Sequence, residues 1–107
     1  MWIFTSNGML SVVAHREKKC SLLVRARSPI HIQGLFPGLA VSETPDADYP
    51  YRVVVPRQQF AKVVLDYAMN IDYDNFKNSI EENFYRAHCV DIWAIMMRYG
   101  LNWGRFE

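Results

Sequence analysis

The hydrophobic period of this chain changes once, at Pro56, and that change limits the fold more than any other feature. Before Pro56 the apolar residues alternate or form short β-branched runs; after it they recur every three or four positions. Strands gathered in one block and helices in another point to an α+β architecture, because alternating βα units would interleave the two periods.

In the first block, Trp2 to Thr5 reads as a short strand and Ser6-Asn7-Gly8 as a turn, with Asn-Gly expected to provide the positive φ angles of a tight hairpin. Met9 to Arg16 is a second, β-branched run. Ser21 to Arg27 is a third, with Leu22, Val24 and Ala26 on one face and Leu23, Arg25 and Arg27 on the other. Ser28-Pro29 has the form of a helix start, Ser at the N-cap and Pro at the first helical position, and Gly34, Pro37 and Gly38 keep that helix short. Leu39 to Glu43 is a weaker strand pattern. A loop over 44–50 leads to the strand Tyr51 to Val55, stopped by Pro56.

In the second block, Phe60, Val63, Val64, Tyr67, Ala68 and Ile71 make an amphipathic helix. Ser79-Ile80-Glu81-Glu82 has the form of a capping box and Asp74 is a competing start, so a last helix should run from one of these to about Gly100. The expected fold is one α+β domain over residues 1–107. It has an antiparallel sheet of four or five strands, with one short and two longer helices packed on one face.

Composition narrows the function classes. A net charge of +1 provides no bulk attraction to nucleic acid or an acidic membrane, so a charged partner has to be met by a local patch. Cys20 and Cys89 match no zinc or redox spacing. No signal peptide is visible and no apolar run approaches the roughly 20 residues that cross a bilayer. The default expectation is a cytoplasmic protein with reduced thiols, no membrane partner, no metal and no cofactor.

Two features carry the functional candidates. With Ile92 at the centre of its face, the last helix presents Phe84, Tyr85, His88, Cys89, Ile95, Met96 and Tyr99 within about 80°, a stripe expected to pack on the sheet. Val90, Trp93, Ala94 and Met97 then cover much of the back, where a surface helix is normally polar. Either the C-terminal residues Leu101, Trp103 and Phe106 fold over this back, or Val90, Trp93, Met97 and Trp103 form a patch for a protein partner or for self-association. The second feature is basic. Arg25 and Arg27 point away from the core, Arg52 alternates in the same way, and neighbouring strands would put three guanidiniums on the open face beside Lys18, Lys19 and His15. Such a face can contact phosphates or nucleic acid, although outward arginines more often pair with carboxylates such as Asp46 and Asp48.

Other candidates are weaker. Asp72-Tyr73-Asp74-Asn75 lacks the rest of a calcium loop, and helix capping accounts for Asp74 and Asn75. His88 falls in the apolar stripe as a core histidine and, being adjacent to Cys89 on a helix, points about 100° away from it. No P-loop, dinucleotide fingerprint, nucleophile elbow or H-E-x-x-H occurs, so nothing asks for an enzyme.

Several blocks in order, Met1-Trp2-x-x-Thr5, Leu23-Val24-Arg25-Ala26-Arg27, Asp48-Tyr49 with Tyr51-Arg52, and Ile71-Asp72-Tyr73-Asp74-Asn75-Phe76-Lys77, resemble a group of short bacterial and phage proteins with no established activity. The resemblance implies a compact prokaryotic or phage cytosolic protein and brings no catalytic residue with it. The leading expectation is a non-enzymatic protein-binding module, of the inhibitor, immunity or anti-defence kind. The next is a nucleic-acid-associated protein using the arginines. A small enzyme using Asp48, Asp72 or His15 comes third.

Overall fold

The computed structural model describes residues 1–105. Phe106, one of the residues expected to cover the last helix, lies outside the described residues. The chain divides into two compact units, Met1–Asp72 and the segment from Tyr73 onward.

The first unit holds five strands, β1 (Trp2–Thr5), β2 (Gly8–Ala14), β3 (Ser21–Ala26), β4 (Ser42–Glu43) and β5 (Tyr51–Pro56), with helices α1 (Pro29–Ile32) and α2 (Arg57–Met69). All strand pairs are antiparallel and the order across the sheet is β1-β2-β3-β5-β4. With the helices this is the expected α+β fold. The alternation read from the sequence sets its two faces. Val12, Val24 and Val53 are mutual register partners on the core face, as are Leu22 with Val55 and Ala26 with Tyr51. Ile32 and Phe36, in and after α1, and Phe60 of α2 close the same core. The Phe36 and Phe60 rings lie 6.4 Å apart.

The first hairpin differs from expectation. Its loop is Ser6-Asn7, flanked by the pair Thr5 and Gly8, and among the described residues none other than glycine has a positive φ. Thr5 holds the turn instead: its hydroxyl donates to the Gly8 carbonyl at 3.0 Å and accepts from the Asn7 N–H at 3.1 Å. Gly8, with φ +154°, opens β2 directly over His31, whose Nδ1 accepts the Met9 N–H at 3.2 Å. The α1 start is as read, since Ser28 caps the Ile30 N–H at 3.3 Å. The weak strand shrinks to Ser42–Glu43, and Ile71 falls beyond the end of α2, exposed.

The second unit holds a 3-10 turn (Lys77–Ser79) and the 19-residue helix α3 (Asn83–Leu101). The capping box at Ser79 is not used. Ser79 closes the 3-10 turn by donating to the Phe76 carbonyl at 2.6 Å. Glu82 becomes the N-cap of α3, its carboxylate accepting the Tyr85 N–H. A carboxylate at that position also meets the positive end of the helix dipole. Among the described residues no helix is long and apolar enough to cross a membrane.

Candidate functional site

The open face of the sheet carries one continuous row, Trp2, Ser11, Arg25, Arg52 and Ser42, each paired in register with the next across all five strands. Arg25 and Arg52 are therefore directly opposed on β3 and β5. Like charges so placed destabilise a strand pair by a few tenths of a kcal/mol to about 1 kcal/mol. Each guanidinium has been given something to hold. Arg25 donates from Nη2 to the buried Ser11 hydroxyl at 2.8 Å. Arg52 donates from Nε to the Tyr49 carbonyl at 3.0 Å and reaches the exposed carboxylate of Asp48 at 3.9 Å. Arg27 lies past the end of β3, and its Cζ is 4.6 Å from the Tyr49 ring centroid; that of Arg25 is 4.7 Å from the same ring. Tyr49 is buried and already engaged by two cations, so its ring is not offered to a base.

Arg25, Arg27 and Arg52 thus lie close together, as the alternation suggested, and what organises them was not legible in the sequence. Tyr49 sits in a loop where no periodicity marks it. Ser11 is a small hydroxyl in an apolar run, buried because the Arg25 guanidinium reaches over to it. A cleft of about 650 Å3 opens beside the row, lined by Val13, His15, Arg16, Glu17, Leu23, Arg25 and Arg52 among others.

On α3 the expected stripe is largely uncovered. Tyr85 and Cys89 are buried, whereas Phe84, Ile92, Ile95, Met96 and Tyr99 are exposed. His88 is no core histidine: it is exposed, its ring meets Phe84 edge-on at 4.6 Å between centroids, and its Nδ1 lies 2.8 Å from the Phe84 carbonyl oxygen. The back of the helix is open too. Val90, Trp93 and Met97 are 40%, 51% and 46% exposed, and Leu101 and Trp103 are more exposed still, so neither of those two covers it. Lys77 places its ammonium 4.8 Å from the centroid of the Trp93 ring. Burial raises the Cys89 thiol above the usual range, partly offset by a hydrogen bond with Tyr85. Cys20 and Cys89 are both free thiols.

Asn75 accepts the Asn78 N–H at 3.2 Å, the local capping role expected of it. Among the described residues no three His, Cys, Asp or Glu side chains are placed to share a metal ion. Comparison with protein-family models, curated proteins and solved structures found no match to this chain.

Proposed function

We propose that this chain is a non-catalytic protein-binding module, that α3 is its binding element, and that the partner seated on α3 is a second copy of the chain. One observation carries the reading: a helix apolar around nearly its whole circumference stands exposed from Val90 to Leu101. Helices of that composition are normally covered.

The pattern of the helix favours self-pairing. Ala87, Val90, Ala94, Met97 and Leu101 fall at the alternating spacings of three and four that make a helix–helix seam. This seam lies on the far side of α3 from the buried Tyr85 and Cys89. Two alanines in it allow close approach of the axes. Asp91 and Arg98 flank it, seven residues apart on one edge. In an antiparallel, two-fold pairing each Asp91 faces the Arg98 of the other copy, so the surface is complementary to itself as a two-fold interface requires. Trp93 would border the seam, and Trp103 follows the helix end as a second exposed aromatic, both side chains of large area and low entropy cost.

Sedimentation equilibrium tests this. A dimer is expected, weakened by Asp91→Arg or by Arg98→Asp alone and restored when both are present. Two exposed pairs of up to about 1 kcal/mol each, turned from attraction to repulsion, predict a single-variant loss of roughly tenfold to a hundredfold in dimer affinity. A chain that stays monomeric at about 100 μM overturns self-pairing and leaves α3 to a heterologous protein target, as an inhibitor or immunity-type protein would have. Failure of the double variant to recover overturns the antiparallel register.

A further inference from the structure

The arginine row on β3 and β5 has a property that the α3 reading does not use: its positive charge is answered only in part by the chain. Asp48 serves Arg52 from 3.9 Å, and the same carboxylate oxygen already accepts the Tyr49 N–H at 2.9 Å. Arg25 has no carboxylate partner among the described residues, and its Nε–H is buried without an acceptor. A buried unsatisfied donor is a standing cost, and here it belongs to the guanidinium forced opposite another.

The cleft beside the pair adds to the imbalance. It is lined by three guanidiniums, Arg16, Arg25 and Arg52, against the single carboxylate of Glu17. His15 contributes a donor as well. Its Nδ1 accepts the N–H groups of Glu17 and Lys18 at 3.1 and 3.0 Å, which places the ring hydrogen on Nε2. An excess of positive charge even with Asp48 counted, and N–H donors from β3, β5 and the loop after β2, suit a phosphate oxygen set that several donors can share. Guanidinium groups bind phosphate through paired, charge-assisted hydrogen bonds. Val13 and Leu23 give the same cleft an apolar wall, and a volume of about 650 Å3 is the size of a small-ligand site.

We propose that this cleft binds the phosphate group of a small organic phosphomonoester. Arg25, Arg52 and Arg16 hold the phosphate, the His15 Nε2–H donates to it, and the organic part lies on Val13 and Leu23. Arg25 turns about its terminal torsions on binding, so that the orphan Nε–H gains a phosphate oxygen as its acceptor.

The test is titration of the full chain with inorganic phosphate, sulfate and phenyl phosphate at low ionic strength, followed by the arginine Nε–H resonances and by calorimetry. Phenyl phosphate should bind about tenfold tighter than inorganic phosphate because of the apolar wall. Phenyl phosphate should weaken as pH falls through about 6, where the second proton of a phosphomonoester returns, and inorganic phosphate already at somewhat higher pH, while sulfate should not. Arg52→Gln and Arg16→Gln should each weaken phenyl phosphate about tenfold or more, and Lys62→Gln, at an exposed site on α2, should have no effect. Should Arg52→Gln fail to fold, Arg16→Gln and the pH profile still decide. The proposal is overturned if the Arg25 and Arg52 resonances stay unmoved at about 10 mM ligand, or if Lys62→Gln weakens binding as much as Arg16→Gln. It is also overturned if a short single-stranded oligonucleotide binds far more tightly with a steep salt dependence, which would make the row a nucleic-acid contact.

Discussion

Replacing Gly8 by alanine isolates the close approach of its backbone to His31. A Cβ built on Gly8 would lie 2.3 Å from His31 Cγ and 2.6 Å from its Cβ and Cδ2, so the α1 side chain has to move. Three costs combine. Overpacking of this kind costs about 1–3 kcal/mol. Displacing the ring loses the Met9 N–H to His31 Nδ1 bond, a further ~1 kcal/mol. A side chain at φ +154°, backbone that glycine alone adopts readily, adds roughly 1–3 kcal/mol. The total of about 3–7 kcal/mol is a large part of a small protein's stability. It should lower the melting temperature by roughly 15–35 °C. Urea and thermal denaturation of Gly8→Ala, His31→Ala and the double variant measure it. Removing the ring removes the Cγ and Cδ2 clashes and the hydrogen bond at stake but leaves the His31 Cβ contact and the backbone strain, so Gly8→Ala should cost about 1–2 kcal/mol less in the His31→Ala background. Equal cost in both backgrounds would show that the ring contact is not the source of the loss, and the reasoning would fail.

The α3 cap and the two thiols yield further outcomes. Glu82→Ala should destabilise the chain by about 1 kcal/mol, read as a fall of roughly 4–8 °C in melting temperature, since the side chain caps the Tyr85 N–H; an unchanged melt would contradict the cap. Exposed Cys20 should react with a thiol reagent at once and buried Cys89 slowly; equal rates would show α3 opening freely at its first turns. Burial raises the Cys89 thiol in the folded state, so the folded chain holds that proton more tightly than the unfolded one. The corresponding stability is full below the unfolded thiol value and declines as pH rises above about 8.5, and Cys89→Ala should flatten that decline in denaturant titrations at pH 7–10. Trp93→Ala should lower dimer affinity while leaving the melt of the monomer within about 0.5 kcal/mol, because the ring is half exposed.

What the amino-acid order determined alone was local alternation and local punctuation. The inward set Leu22, Val24 and Ala26, the outward Arg25 and Arg52, and the Ser28-Pro29 helix start all follow from a side-chain period of two or from one cap, and the structure has them as read. Where two local signals competed, the reading went astray. Ser79 and Asp74 both suit an N-cap, and neither caps α3: the 3-10 turn consumes the Ser79 hydroxyl and Glu82 caps the helix instead. Only the tertiary structure decided what lies beside what. β3 pairs with β5 rather than with its successor β4, and this non-local pairing alone sets Arg25 against Arg52. Tyr49 and Ser11 joined the arginines from a loop and an edgeward strand, positions whose meaning depends on register and not on spacing. The exposure of α3 side chains was likewise invisible in its apolar composition: a hydrophobic pattern states that a face prefers to be covered and does not state by what.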